Sequence, residues 1–407
     1  MFLILYADDI VIFAECKTEL QTSLDLLLKY CNRWKLIVNV NKTKSMCFRK
    51  GGQLSRDTQF FYNGNIVEIV HKFTYLGVVF STSGSFTEAQ KTLSGQALKA
   101  TFKMNKHLYK FTSISVSHRI ELFDKLILPI LNYASEVWGF VHGEVIERMH
   151  LQFMKKLLGV KRTTQNDFIY GELGRVNLQT HRYYSIIKYW TKLLTTDINK
   201  YSKKIYLLLK IDCENNIRVK NWCSLLKQLL CTLGFYEVWL FQEVGNASVF
   251  LSNVKQRLSD QFIQGWDGRL NISSRASLYK HISSFKFKPY LDICNIPKFR
   301  YSLTRLRVSS HRLNIECGRW ARPNIIPVNE RKCQNCNVLE DEYHFVLECS
   351  LYNELRKQYI PSFYRKNPSM QKCIQLLSIE NPSLLRKLSC YVHKAFDIRT
   401  SSICVNI

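Results

Sequence analysis

Residues 1–14 read MFLILYADDIVIFA, and this stretch decides the fold that we predict for the start of the chain. Two apolar, β-prone runs, residues 1–6 and 10–13, flank Asp8 and Asp9, which predicts a β-hairpin with an acidic tip. Adjacent carboxylates between apolar strands repel each other and resist the loss of water, and a divalent cation offsets both effects. Because hard oxygen ligands suit Mg²⁺, the pair is a candidate magnesium site, with an ordinary Asp-rich turn as the alternative.

The composition points to an acidic partner. The 407-residue chain carries 58 Lys and Arg against 32 Asp and Glu, a net charge of +26, and its hydrophobic share of 46% excludes a disordered tail. No run approaches the ~20 apolar residues of a membrane helix, so we expect a soluble, intracellular protein that binds nucleic acid. The 14 cysteines are scattered, which is typical of reduced thiols and not of a disulfide framework.

The order of several motifs resembles the reverse transcriptases of non-LTR (LINE-class) retrotransposons. The string Tyr6–Asp9 (YADD) between apolar runs is similar to their catalytic hairpin, and helical spacing over Thr18–Leu36 follows it, as in the palm. Phe73–Gly77 (FTYLG) then resembles the primer-grip hairpin. The family usually has glycine at the position where this chain has Lys35.

This resemblance implies a set of catalytic roles. In the family, two Mg²⁺ ions clamp the primer 3′-hydroxyl and the incoming triphosphate. Asp8 would be the direct metal ligand, and Asp9 would be the supporting catalytic carboxylate. Lys42 or Lys44 would neutralise or protonate the pyrophosphate, and solvated surface lysines are the alternative reading. The residues implied for the primer grip are Tyr75, Leu76 and Gly77.

A polymerase palm needs a further carboxylate on a strand that precedes the catalytic hairpin, as well as fingers that hold the template. The sequence has no place for either before Tyr6. Because one carboxylate pair cannot hold two metal ions in the required geometry, we expect a C-terminal fragment of a polymerase that is inactive alone.

Helices follow the primer-grip motif and resemble the thumb, which packs on the product duplex. The spacing of apolar residues predicts helices over His118–Phe140, bent at Pro129, and over Glu144–Leu158, ending at Gly159. The glycine-rich segment Gly171–Arg175 predicts a turn between helices. A solvated helical face is the alternative to phosphate contacts by the basic residues here, which are Lys155, Lys156, Lys161 and Arg162.

Residues 298–332 form a second basic segment, with nine basic and two acidic residues. Guanidinium groups fork onto phosphates, and the interleaved Tyr301, His311 and Trp320 suit stacking on bases. An ordinary basic surface is the alternative. The candidate nucleic-acid contacts in this segment are Arg305, Arg307, Arg312, Arg319 and Arg322.

The spacing Cys333-x2-Cys336-x7-His344-x4-Cys349 follows directly. Three sulfurs and one nitrogen suit tetrahedral Zn²⁺, and four protein ligands predict a closed, structural site. Five residues from His344 to Cys349 place the two off one α-helical face, so we expect Cys349 at or beyond the end of a helix. The pattern is similar to the zinc-binding region of LINE-class elements, and three reduced cysteines with a surface histidine are the alternative.

Together these patterns predict an α+β fold: a partial reverse transcriptase palm, then a mostly α-helical thumb and C-terminal region with a small zinc knuckle. The predicted domains are 1–82 (palm remnant), 83–165 (thumb), 166–297 (helical connector) and 298–407 (basic zinc-binding region). The resemblance implies an RNA-directed DNA polymerase that performs target-primed reverse transcription in the nucleus, with Mg²⁺ and Zn²⁺ as cofactors. Its partners would be an RNA template, a DNA target or an RNA–DNA duplex. Two alternatives stay open, a nucleic-acid-binding module that uses only the thumb and zinc region, and a nonfunctional relic of a decayed element.

Overall fold

The computed structural model of this chain describes residues 2–49, 51–55, 58–108, 114–215 and 220–404. The chain divides into two compact units, Met1–Leu93 and Ser94–Ile407. Short strands and one long helix make up most of the first unit, and helices make up the second, which confirms the predicted α+β class. No helix in the described part of the chain is long and apolar enough to span a membrane.

Strands of the first unit pair two by two around a small core. The antiparallel pairs are Phe2–Tyr6 with Asp9–Phe13, Phe61–Tyr62 with Asn65–Ile66, and Lys72–Tyr75 with Val78–Ser81, and the parallel pair is Lys44–Ser45 with Glu68–Ile69. Leu24 of the helix packs with Phe60, Tyr62 and Val67, and Ile12 lies against this cluster. The elements are β1 (Phe2–Tyr6), β2 (Asp9–Phe13), α1 (Lys17–Trp34), β3 (Lys44–Ser45), β4 (Phe61–Tyr62), β5 (Asn65–Ile66), β6 (Glu68–Ile69), β7 (Lys72–Tyr75) and β8 (Val78–Ser81).

Both predicted hairpins are present. Tyr6 pairs with Asp9 across the first one, so that the loop is only two residues long. In the second hairpin the loop residues Leu76 and Gly77 both have positive φ, 46° and 79°, as a type I′ turn requires.

Lys35 ends α1 in the left-handed conformation that usually belongs to glycine, with φ 56° and ψ 38°. Its backbone N–H donates to the carbonyls of Cys31 and Asn32. The tight turn therefore forms with a lysine, at the steric cost that a Cβ brings to this conformation.

The second unit is built from helices joined by short loops. Long helices supply most of its core, in which Trp190 and Trp239 stack with ring centroids 6.2 Å apart. The remaining helices of the chain are α2 (Thr87–Leu108), α3 (Val116–Leu126), α4 (Leu128–Leu131), α5 (Ser135–Trp138), α6 (Glu144–Leu158), α7 (Asn166–Leu173), α8 (Leu178–Thr195), α9 (Tyr201–Asn215), α10 (Trp222–Thr232), α11 (Tyr236–Phe241), α12 (Ala247–Ile272), α13 (Tyr279–Ile282), α14 (Tyr290–Ile293), α15 (Pro297–Arg307), α16 (Asn314–Cys317), α17 (Asn353–Tyr359), α18 (Ser362–Arg365), α19 (Met370–Leu377) and α20 (Pro382–Cys404).

The predicted helix over 118–140 is wrong, because three short helices, α3 to α5, replace it. Pro129 lies in the first turn of α4, where its missing N–H is tolerated. Ala134, directly before α5, has a left-handed conformation with φ 53°, which interrupts the helical path of the chain. The helix predicted over Glu144–Leu158 is confirmed as α6, and Gly159 ends it with φ 67°.

Contacts within the second unit cross the predicted boundaries at residues 165 and 297. Arg307 of α15 forms a buried ion pair with Glu172 of α7, and Tyr170 of α7 donates its hydroxyl to the carboxylate of Glu147 in α6. The finer division into thumb, connector and zinc-binding region stays a prediction.

Candidate metal centre and nucleic-acid interface

Cys333, Cys336, His344 and Cys349 converge on one point. Their ligand atoms all lie within 4.8 Å of one another. The Sγ atom of Cys349 lies 3.9 Å from that of Cys333 and 3.7 Å from that of Cys336. Sulfurs at the corners of a tetrahedron around zinc are about 3.8 Å apart, because each Zn–S bond is about 2.3 Å long.

A tight loop presents the first two cysteines. An isolated β-bridge joins Lys332 to Leu339, and the backbone N–H of Cys333 donates to the carbonyl of Val338 at 2.7 Å. Asn337 closes the loop with φ 54°, a left-handed conformation that asparagine tolerates well. The loop thereby turns the Cys336 side chain back toward Cys333.

A π-helical turn over His344–Glu348 presents the other two ligands. Asp341 caps its start by accepting the N–H of His344 at 2.8 Å, and the N–H of Cys349 donates to the carbonyl of His344 at 2.8 Å. Cys349 follows the last residue of this turn, as the spacing predicts. The wider winding brings two residues that are five apart to the same side, which an α-helix does not do.

His344 is buried, and neither of its ring nitrogens has a hydrogen-bond partner within the part of the chain that the structure describes. The nearest carboxylate oxygen, on Glu348, lies 3.6 Å from Nδ1. A buried polar group without a partner costs free energy, and a metal ion would remove that cost. Glu348 is also placed to orient the ring, as carboxylates do beside metal-bound histidines.

The thiols differ in acidity because their surroundings differ. Partial burial opposes ionisation of Cys336, but hydrogen bonds from Ser350 and Asn335 lower its pKa to about 6. Burial raises the pKa of Cys349 to about 12. A cation bound between them would displace the proton from both thiols.

Asp8 and Asp9 are exposed at the tip of the first hairpin. Neither carboxylate has a hydrogen-bond or ion-pair partner among the described residues. No third histidine, cysteine or carboxylate within that part of the chain joins them in a group able to hold a metal ion. The pair could contribute oxygen ligands to a magnesium ion that other groups complete.

The two candidate lysines differ in their surroundings. Lys44 forms an ion pair with Glu68 at 2.6 Å, whereas Lys42 is exposed in a turn. At the second hairpin, Tyr75 is the last residue of β7, and its hydroxyl is buried without a hydrogen-bond partner among the described residues. The backbone of Leu76 and Gly77 forms the exposed tip.

The two predicted basic segments meet on one surface. The backbone N–H of Lys161 donates to the Ser310 hydroxyl at 3.0 Å, and its ammonium group donates to the carbonyl of His311 at 2.9 Å. Arg305 donates from Nε to the carbonyl of Gly159 at 2.7 Å. We call the exposed members of this group the basic surface, and they are Lys156, Lys161, Arg162, Arg305 and Arg312.

Several residues predicted to contact nucleic acid are already engaged. Arg307 is buried and paired with Glu172, so its prediction as a phosphate contact is wrong. His311 is also buried and bonded to Glu342, so it cannot stack on a base. Lys155 donates to the carbonyl of Arg162, and burial, followed by the charge of Arg275, lowers its pKa.

Arg319 and Arg322 are not part of the basic surface. Arg319 forms an ion pair with Glu316 at 3.3 Å and donates to the carbonyl of Ser274, whereas Arg322 is exposed. Sequence reasoning missed Arg275, which pairs with Glu316 at 2.6 Å and lies over the ring of Trp320. A single arginine between helices gave no pattern that could have revealed it.

Comparisons with known proteins support the resemblance seen in the sequence. Residues 1–80 match the reverse transcriptase (RNA-dependent DNA polymerase) family. The RNA-directed DNA polymerase from mobile element jockey of Drosophila funebris is 25% identical over 164 residues, which are 38% of this chain and 18% of that protein. A transposon-derived protein of Caenorhabditis elegans is 27% identical over 174 residues, which are 40% of this chain and 58% of that protein.

The aligned part of the chain therefore spans about a fifth of the length of the first relative and about three fifths of the length of the second. No solved structure matches the chain. These matches confirm the predicted resemblance to the reverse transcriptases of non-LTR retrotransposons.

Proposed function

We propose that this chain is a nucleic-acid-binding part of a non-LTR RNA-directed DNA polymerase. The observation that carries the proposal is the meeting of two basic segments on one surface, where Lys161 bonds to His311, 150 residues further along the chain. Exposed guanidinium and ammonium groups attract phosphates without reading sequence. The backbone of an RNA–DNA duplex, an RNA template or a DNA target supplies these phosphates.

A zinc ion in the Cys333, Cys336, His344 and Cys349 site would hold the basic surface in place. Glu342 lies two residues before His344 and accepts from His311 Nε2 at 2.9 Å. His311 in turn accepts the Lys161 ammonium group on its carbonyl. The metal ion would supply structural crosslinking only, because all four ligand positions are filled by the protein.

Binding can be tested with the full chain, zinc and an RNA–DNA duplex over a range of salt concentrations. We expect log Kd to change with log salt with a slope of several units. Arg162→Ala and Arg312→Ala should each weaken binding and reduce the slope by about 1. Arg257→Ala removes an exposed arginine of α12, outside the basic surface, and should leave the slope unchanged. An equal effect of all three changes would contradict a localised surface.

We further propose that this polypeptide does not polymerise DNA by itself and that its parent performs target-primed reverse transcription. Asp8 and Asp9 would hold Mg²⁺ there, Lys42 or Lys44 would face the pyrophosphate, and Tyr75 to Gly77 would position the primer. The support is that no third carboxylate joins Asp8 and Asp9 among the described residues. Of the two lysines, Lys42 is better suited because Lys44 is paired with Glu68.

A primer-extension assay on an RNA template with Mg²⁺ or Mn²⁺ tests the inactivity. We expect no extension above background. Templated synthesis that disappears in Asp8→Ala but persists in Asp25→Ala would overturn the proposal, because Asp25 is an exposed carboxylate of α1 that is bonded to Gln21.

A further inference from the structure

A cavity of about 500 Å³ lies in the second unit, lined by residues of α2, α3, α6, α14 and α15. None of its lining residues belongs to the metal centre. Its volume falls within the range of about 300–1,000 Å³ that is usual for small-molecule sites. The chain therefore has room here for a group the size of a nucleotide.

Three cations line this cavity with few partners of their own. The Arg119 guanidinium and the Lys156 ammonium group have no hydrogen-bond or ion-pair partner among the described residues. Arg300 is only 8% exposed, and its Nη1 donates to the carbonyl of Cys294 at 3.3 Å, whereas no described residue offers its Nε a hydrogen-bond partner. Because Arg300 is buried and Arg119 is half-buried, water screens their positive charges only in part, and a bound anion would offset the cost of burying them.

The only carboxylate in the lining, among the described residues, is already used. Asp292 accepts the backbone N–H of Ser117 at 3.1 Å, at the start of α3. This contact places its negative charge on the helix N-terminus, which favours it there. Among the described residues, the cavity lining thus carries three positive charges against one negative charge.

The other walls suit a nucleoside. The rings of Phe153 and Tyr301 line the cavity and supply the apolar wall that a base needs, with Phe153 stacked on Phe123 on one side and the Arg300 guanidinium over the ring of Tyr301. Asn105 and Asn295 add amide groups that can both donate and accept hydrogen bonds. Tyr301 also touches the turn at Gly159, where an added Cβ would lie 2.4 Å from its ring, so the cavity adjoins the basic surface.

We propose that this cavity binds the terminal phosphate of a nucleic-acid strand together with the nucleoside that carries it. The inference rests on the proposed nucleic-acid binding, because the cavity and the basic surface share Lys156. A terminal phosphate monoester carries about −1.5 to −2 charges at pH 7, which matches the excess of two positive charges, whereas an internal phosphodiester carries one negative charge.

The test compares a short single strand with a 5′-phosphate, the same strand with a 5′-hydroxyl, and a nucleoside monophosphate, all against the zinc-loaded full chain. We expect the 5′-phosphate to tighten binding about tenfold, as a charge-assisted hydrogen bond does. Arg119→Ala should abolish this preference, and Lys156→Ala, a change at an exposed side chain, should reduce it. Arg257→Ala should keep it, because Arg257 is exposed and does not line the cavity.

A strand that binds far more tightly than the mononucleotide supports a strand end as the ligand, and equal binding supports a free nucleotide in the same phosphate site. Equal binding of the phosphorylated and hydroxyl strands, with the salt dependence intact, would overturn the cavity's role and leave the basic surface standing. Absence of salt-dependent binding to either strand would overturn both proposals. A preference that survives in both Arg119→Ala and Lys156→Ala would also reject the cavity as the site.

Discussion

Arg307 and Glu172 lie 135 residues apart in the chain and form a two-pronged ion pair in the interior of the second unit. Nη2 of Arg307 lies 2.9 Å from Oε1 of Glu172, and Nε lies 3.1 Å from Oε2. The Tyr290 hydroxyl also donates to Oε2 at 2.6 Å, and Nη1 of Arg307 donates to the carbonyl of Leu377. This network ties α7, α14, α15 and α19 together.

Removing one partner of this pair should be strongly destabilising. In Arg307→Met the Glu172 carboxylate would stay buried without its cation, and we expect the free energy of unfolding to fall by about 3–5 kcal/mol. Denaturant unfolding of the full chain measures the change. Arg312→Met, at an exposed arginine, should cost less than about 0.5 kcal/mol. The double variant Arg307→Met/Glu172→Gln should recover part of the loss, and a loss no larger than that of Arg312→Met would contradict the role of the pair.

The same pair predicts a dependence of stability on pH. Burial by itself raises the pKa of Glu172, but the Arg307 guanidinium outweighs it, so the pKa lies below the usual value. Because the folded pKa is lower than the unfolded value of about 4.3, the stabilisation is complete above the unfolded pKa. It is lost as the pH falls through the folded pKa. The difference in unfolding free energy between wild type and the double variant, measured from neutral to acidic pH, should therefore shrink below pH ~4.3. A difference that stays constant would refute this assignment.

Zinc should be present in the protein and should depend on the four converging ligands. We expect stoichiometric zinc by mass spectrometry in the wild type and in Cys231→Ser, which changes an exposed cysteine of α10. Cys336→Ser should lose the metal, because a hydroxyl does not replace a thiolate ligand. Its nucleic-acid binding should weaken as well, through the link from Glu342 to His311. Retention of zinc in Cys336→Ser, or its absence from the wild type, would rule out the site.

The left-handed conformation of Lys35 leads to a prediction about the stability of the first unit. Its left-handed conformation, with φ 56°, costs a residue with a Cβ about 1 kcal/mol, and glycine avoids this cost. Lys35→Gly should therefore raise the unfolding free energy of this unit by roughly that amount. Lys29→Gly, in the exposed middle of α1, should lower it by about 1 kcal/mol. Thermal unfolding followed by circular dichroism distinguishes the two signs, and destabilisation by both changes would be inconsistent with strain at Lys35.

The first hairpin and the metal-binding loop were predicted well from the sequence, because the patterns that specify them involve residues close together in the chain. Two continuous apolar, β-prone runs on either side of Asp8 and Asp9 specify a hairpin whatever surrounds it, and the fixed spacing of Cys333, Cys336, His344 and Cys349 limits the shapes that the loop can take. The prediction that Cys349 follows the end of a helix is confirmed. That a π-helical turn carries His344 could not be predicted, since α- and π-helical winding differ little in local preference.

The two glycines of Gly171–Arg175 predicted a turn over this whole segment, and this prediction is wrong for most of it. Only Gly174 is at a turn, with φ 59°, and Glu172 lies inside α7, where it meets Arg307. A charged residue between glycines is typical of an exposed turn, and only a distant partner makes its burial possible.

By itself, the sequence determined the hairpins, helix α6, the cysteine and histidine set and the general excess of positive charge. Only the tertiary structure decided which of those charges are available. Arg305 and Arg307 are two residues apart on one short helix, yet the first is exposed on the basic surface and the second is buried against Glu172. The reason is that composition fixes the number of cations, whereas packing between segments more than a hundred residues apart fixes which of them meet a carboxylate and which meet solvent.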